Sequence, residues 1–220
     1  MFKALRTGVA PHLPRESSII NFKKKELGLG NLLLRSDKDL GGFSTTELVE
    51  QDGYCSFRGD LSLDLPEDRP EIIRLGYAMF RTKDRPTGWF GLGGEEFYNW
   101  STFNQLSLKI RSDHRRYFIN IQAESPYPTD LYQHRLFAKT PGQWETVTVP
   151  LSQFILTNGG VIQKQYRMDL EHIRSVGISL IDGQYGPYNL DIEWVKVIMG
   201  DAPAEEPKSI DANIGQQLPL

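Results

Sequence analysis

Carboxylate pairs, histidines and one thiol are the groups from which this 220-residue chain could build a reaction, and their spacing is the first test. Glu95 and Glu96 are neighbours, so an extended backbone sends them to opposite faces. They cannot flank one glycosidic bond, which takes two carboxylates roughly 5 to 9 Å apart. Asp182, Asp191 and Glu193 are scattered over late segments, where outward polar positions account for them. His12, His114, His134 and His172 include no i,i+4 pair, and none stands beside a second ligand type at a metal-site interval. Cys55 falls in register with Phe57 and Leu61, as a small core residue would, and no local base activates it. As the single cysteine it also excludes an internal disulfide framework and a cysteine-based zinc site. Gly91-Leu92-Gly93-Gly94 has Glu96 where a dinucleotide fingerprint needs its third glycine, and Gly28-Leu29-Gly30 has Leu33 there, so both read as turns. Asn99-Trp100-Ser101 matches the glycosylation sequon, which matters only in a secreted protein. The expectation is no catalytic residue, no metal and no cofactor.

The elements that would position any site read as strands. Apolar residues recur every second place in Cys55-Phe57-Gly59-Leu61-Leu63-Leu65, in Ile73-Leu75-Tyr77-Met79, in Leu106-Leu108-Ile110 and in Tyr117-Ile119-Ile121-Ala123. The pattern returns in Val147-Val149-Leu151, in Val176-Ile178-Leu180 and in Tyr188-Leu190-Ile192-Trp194. A period of two buries one face of a strand and wets the other. Helical periodicity is weak outside one turn near Asp169 to Arg174. Many short strands without intervening helices imply an all-β fold, an antiparallel two-sheet jelly-roll sandwich. No repeat or composition break divides the chain. The expected layout is an N-terminal extension over 1–32, a sandwich domain over 33–200 and an extended tail over 201–220.

With 25 Lys and Arg against 28 Asp and Glu the net charge is −3, which argues against nucleic acid as the main partner. No apolar run approaches the roughly 20 residues needed to cross a bilayer. Met1 to Arg15 is basic and free of acids, the composition of a mitochondrial transit segment, although Pro11 and Pro14 would stop a helix there. Glu16 to Leu27 suggests a short helix with Lys23, Lys24 and Lys25 as its solvated face. Pro203, Pro207 and Pro219 keep the tail extended.

Without catalysis, the useful residues are large amphipathic side chains beside cations. The stretch Lys83 to Gly91 is a long turn-rich loop in which Arg85, Trp89 and Phe90 are candidate partner contacts, with Trp89 as a cap on the sandwich end the alternative. Arg111 to Arg116 reads as a basic hairpin tip, where Arg115 and Arg116 are candidates for an acidic partner. Tyr127, Tyr132, His134 and Arg135 could line a concave sheet face, holding stacked sugar or a protein loop, with Tyr132 and His134 on one side of their strand. Trp144 and Trp194 read as core.

Three segments carry a resemblance. They are Ser36-Asp37-Lys38-Asp39-Leu40-Gly41-Gly42-Phe43-Ser44 followed by Phe57-Arg58-Gly59-Asp60-Leu61; Gly76-Tyr77-Ala78-Met79-Phe80-Arg81; and Gly142-Gln143-Trp144-Glu145-Thr146-Val147-Thr148-Val149-Pro150-Leu151 with Phe154. With Gly177-Ile178-Ser179-Leu180 and Leu190-Asp191-Ile192-Glu193-Trp194-Val195, the chain resembles the complex I intermediate-associated protein 30 family from about residue 33 to 200. The resemblance implies a galactose-binding-like sandwich that is no enzyme. It implies a chaperone for assembly of mitochondrial NADH:ubiquinone oxidoreductase, complex I of the respiratory chain. Its implied partners are complex I subunits and other assembly factors on membrane-arm intermediates. Its implied place is the mitochondrial matrix, peripheral to the inner membrane through those partners. The family supplies no catalytic residues to carry over. The rival reading is a carbohydrate-binding module of the same sandwich architecture.

Overall fold

The computed structural model describes residues 15–24, 27–85 and 97–201. Thirteen strands account for nearly all of its regular structure: β1 (Glu16–Asn21), β2 (Leu32–Ser36), β3 (Thr45–Gln51), β4 (Tyr54–Leu61), β5 (Ala78–Thr82), β6 (Gln105–Ser112) and β7 (Tyr117–Ala123). The remainder are β8 (Asp130–Arg135), β9 (Glu145–Pro150), β10 (Ile155–Asn158), β11 (Val161–Ile162), β12 (Ile173–Leu180) and β13 (Gly186–Ile198). One sheet runs β3-β4-β13-β6-β9, with β1 paired to the far half of β13, and the other runs β11-β10-β8-β7-β12-β5-β2. Every pairing is antiparallel. The two inner faces meet in one apolar core around Phe57, Phe80, Tyr117, Ile119, Ile178 and Leu190. This is an antiparallel two-sheet jelly-roll sandwich.

Alternation explains the strands that were legible. Cys55, Phe57 and Leu61 on β4 are wholly buried, as are Leu106, Leu108 and Ile110 on β6. Three expectations change. The short helix expected over 16–27 is instead strand β1, whose Ile19 and Ile20 enter the core, so the sandwich begins before residue 33. In the second alternating run the strand is Ala78–Thr82, with Ala78, Phe80 and Thr82 inward; Ile73, in the preceding loop, is almost fully exposed. On β13 the register shifts between Ile192 and Trp194, so Val195 and Val197 point inward and Trp194 is only half-buried, outside the core.

The outer faces are tied by polar side chains. On the seven-stranded sheet, Thr157 Oγ1 donates to Gln133 Oε1 (2.8 Å), Gln133 Nε2 to Asn120 Oδ1 (2.7 Å) and Asn120 Nδ2 to Ser179 Oγ (2.9 Å). That ladder links four adjacent strands, β10, β8, β7 and β12. On the six-stranded sheet, Asp191 accepts from Ser56 Oγ (2.6 Å) and Arg111 Nε (2.8 Å). The Arg111 guanidinium lies over the rings of Trp144 (5.1 Å) and Tyr54 (5.5 Å). Trp144, expected in the core, is therefore an outer cover on this ion pair and is 36% exposed.

Candidate protein-binding surface

The sequence candidates separate into residues consumed by the fold and residues presented to solvent. Arg115 belongs to the first group. All five of its N–H donors are used: Nε and Nη2 fork onto Asp182 (2.7 and 2.8 Å), Nη1 reaches the carbonyls of Gly186 and Pro187 (2.9 Å each), and Nη2 also reaches that of Gln184 (2.7 Å). Its side chain is 10% exposed and that of Asp182 is fully covered, so this arginine locks the β12–β13 turn and offers nothing to a partner. Burial raises the Asp182 carboxyl, but the Arg115 hydrogen bonds and charge, with backbone N–H groups of Arg116 and Gln184, outweigh it and hold the group below the usual carboxylate range. Arg116, one residue on, is exposed at the same end of the sandwich.

A second lock at this end lies in the Ser36–Ser44 segment. Asp37 is completely buried; it accepts from Ser44 N (3.1 Å), Ser44 Oγ (2.6 Å), Gly76 N (2.8 Å) and Tyr77 N (3.4 Å). A Cβ on Gly42 would stand 2.5 Å from the Asp37 carboxyl carbon, which is why the adjoining position holds glycine. Sequence reading missed this role because Asp37 reaches 39 residues ahead to find Gly76.

Tyr132 also belongs to the fold. It pairs with Ile121 on β7 and Leu156 on β10, faces inward and is 9% exposed. His134 shares that inward side, as its strand parity requires, but lies at the rim. Its ring sits beside Phe154 (5.4 Å) and Phe137 (6.0 Å), and burial lowers its pKa against a smaller raising effect from the Arg135 backbone. The exposed Arg135 lies over the Phe137 ring at 5.0 Å, and Phe137 is itself 55% exposed. So β8 splits the expected face: Tyr132 goes to the core, while His134 and Arg135 meet Phe137 at a solvent rim.

The opposite end of β7 and β12 carries a different assembly. Tyr98 bridges to Ile173, bringing the end of the 83–98 connection against the start of β12. Arg85 lies over the Tyr98 ring at 5.0 Å and donates to the Phe97 carbonyl (3.2 Å). Arg174 lies over the Phe97 ring at 5.0 Å, whose edge meets His172 (5.3 Å). The half-exposed His172 pairs with Asp169 (2.8 Å), whose hydrogen bond raises its pKa. Trp89 and Phe90 lie outside the described residues. Tyr127 is found near this end too, where Tyr127 and Tyr166, both more than 60% exposed, flank a cleft of about 600 Å³ with Asp130, Asn158, Gln163 and Lys164. Among the described residues no cluster of three or more His, Cys, Asp or Glu could hold a metal. Cys55 is buried and its thiol is pushed up to about 12 by desolvation and the charges of Glu50 and Asp191, which leaves it no nucleophile. No helix among the described residues is long and apolar enough to cross a membrane.

What this arrangement can do is bind. It presents stacked cation–ring pairs and half-buried aromatics, the side chains that dominate contacts between proteins. The family model for complex I intermediate-associated protein 30 matches residues 20–192, from β1 to the middle of β13. A relative of that name, from Neurospora crassa, is 40% identical over 205 residues, covering 82% of this chain and 72% of the relative. The mouse relative is 29% identical over 191 residues, and this chain spans 57% of its length. Among solved structures, the family 11 carbohydrate-binding module of a Clostridium thermocellum cellulase has a TM-score of 0.57 at 16% identity, covering 86% of this chain and 98% of that one. The same family's module in complex with a mixed-linked tetrasaccharide scores 0.56. An agarase, AgWH50C, scores 0.54 over 25% of its own chain. At these identities the likeness is one of fold.

Proposed function

The chain belongs to the complex I intermediate-associated protein 30 family, and from that membership we propose that it is a non-enzymatic assembly factor for mitochondrial respiratory complex I. It binds membrane-arm intermediates on the matrix side and is held at the inner membrane through those partners. Its physical task is to cover surface on an incomplete intermediate until the permanent neighbour arrives. The observation that carries the reading is the family match across the sandwich. The Arg85–Tyr98 and Arg174–Phe97 pairs, with Trp89 and Phe90 in the adjoining connection, are the surface we assign to the partner, and Arg116, His134 and Arg135 are secondary contacts. Deleting the gene lowers assembled complex I while separate subunits and subassemblies accumulate on native gels. Reintroducing the wild-type chain restores assembly, and unchanged complex I in the deletion strain would overturn the reading.

The cleft between Tyr127 and Tyr166 favours a second reading, carbohydrate binding, because two exposed rings beside amides and a carboxylate can stack and hydrogen-bond a sugar. That reading requires glycan binding that is lost in Tyr127→Ala and Tyr166→Ala. Tyr132→Ala is no test of it, since Tyr132 belongs to the core.

A further inference from the structure

Among the described residues five strands lie at the edges of the two sheets, and four are guarded against further pairing, β1 by its exposed Glu16. β3 carries Glu47 and Glu50, β2 carries Arg35, and β11 is two residues long. β9 is different. It is β-branched at Thr146, Val147, Thr148 and Val149, and pairs only with β6. Among the described residues its backbone makes no other hydrogen bond. Its one acid, Glu145, is turned back to accept from the backbone N–H groups of Lys139 and Thr140 (3.0 Å each). A groove of about 230 Å³ follows the free side, lined by His134, Phe137, Lys139, Val147, Val149 and Gln153 among others. His134 Nδ1 is buried in this rim without a hydrogen-bond partner.

The last described residues lie at the same end of the sheet as the C-terminal end of β9, two strands away. After β13, Gly200 is held in a two-way pair with the Asn104 side chain, donating to Oδ1 (2.9 Å) and accepting from Nδ2 (3.0 Å). The Asn104 carbonyl accepts Leu151 N (2.9 Å) at the end of β9. Residues 202–220 lie outside the described residues, but their sequence is informative. Pro203 and Pro207 stand early, 208–218 holds no proline, and Ile210, Ala212 and Ile214 alternate with Ser209, Asp211 and Asn213. Crossing from β13 past β6 to the free side of β9 spans three strand spacings, about 14 Å, or four to five extended residues. That distance passes Pro203, where a missing amide costs nothing, and ends at 204–205; Pro207 falls just before the proline-free 208–218 stretch, whose alternating residues then follow along the edge. Glu205, Glu206 and Asp211 suit a groove flanked by the exposed cations Lys139 and Arg135.

We propose that β9 is a strand-addition site, and that its occupant is this chain's own segment around residues 209–214, running antiparallel to β9 with Ile210, Ala212 and Ile214 turned to the groove. Main-chain pairing provides the hold and the alternate apolar side chains the register.

The experiment compares hydrogen exchange of the full chain with that of a full-length Ile210→Asp, Ile214→Asp variant. In the wild type, amides of 146–149 that face the open edge exchange about tenfold more slowly than in the variant, while β12 amides are equal in both. A nitroxide on Asn213→Cys, with Cys55 inaccessible in the core, broadens the same β9 amide signals. Equal β9 exchange in both chains, or no broadening, overturns the proposal. So does β9 protection that rises with protein concentration and survives the double substitution, which would give the edge to a second copy.

Discussion

The two ends of the sandwich hold arginine in opposite settings. At the end where β7 begins, Arg115 spends every donor on Asp182 and three carbonyls, and Asp37 gathers four donors nearby. At the end where β12 begins, Arg85 and Arg174 lie across the Tyr98 and Phe97 rings at 5.0 Å each. A guanidinium forked onto a buried carboxylate is held in one geometry, whereas one stacked on an aromatic face tolerates small shifts. Side-chain type alone therefore does not separate the two settings; the hardness of the surroundings does.

The hardest test of that contrast is Asp37→Ala. It strands the N–H groups of Ser44, Gly76 and Tyr77 around a buried carboxylate site, leaves the Ser44 hydroxyl only the Ser62 carbonyl, and the expected loss is about 3–5 kcal/mol in urea unfolding. Arg115→Met comes next, at about 3 kcal/mol, because it leaves the covered Asp182 carboxylate uncompensated. The same variant carries a pH signature. The folded Asp182 pKa is depressed, so its contribution is present above the ordinary carboxylate range near pH 4 and is lost as pH falls through the lowered folded value. Stability measured from pH 6 down to pH 2 should fall more steeply in wild type than in Arg115→Met. A stability loss below about 0.5 kcal/mol for either variant would erase the difference between the two ends.

Much of the fold was legible because β4, β6, β7 and β12 bury every second residue, and that signal is local. What was hidden is non-local. The β1 segment reads as helical beside its lysine run, and only its pairing with β13 makes it a strand. Strand β8 was legible only as the shared side of Tyr132 and His134, because its outward Gln133 finds Asn120 and Thr157 on neighbouring strands and no local signal names them. The register shift on β13 turns Trp194 out of the core, and no local pattern announces it. Period two put Tyr132 and His134 on one side correctly, yet which side is inner depends on Ile121 and Leu156. Arg115 looked like a solvated hairpin tip because Asp182 lies 67 residues away.

At the softer end, Arg85→Glu gives up its stacking on Tyr98 and its bond to the Phe97 carbonyl, and should cost about 1 kcal/mol of stability, less than either lock variant. Its larger effect belongs to the partner: reversing the charge over Tyr98 should weaken capture of complex I intermediates about tenfold, equal to about 1.4 kcal/mol. Complementation of the deletion strain reads the result on native gels, with Arg35→Glu, an exposed cation on the β2 edge, as the control. If both variants restore complex I equally, the partner surface lies elsewhere.

The smallest effect belongs to His134, at the rim between core and solvent. Burial against Phe154 and Phe137 lowers its folded pKa, so between that value and the unfolded value near 6.5 the unfolded chain binds more protons. Stability is then complete above about pH 6.5 and declines as pH falls below it, until folded His134 is itself protonated. Because the ring is only half-buried, solvent screens the penalty and the decline stays under about 1 kcal/mol. His134→Phe removes the titrating group while keeping a ring against Phe154. Between pH 7.5 and 5.5, the change in urea midpoint should be smaller in the variant than in the wild type. A fall of equal size in both would assign the acid sensitivity to another group, and a larger fall in the variant would reverse the sign argued for this rim.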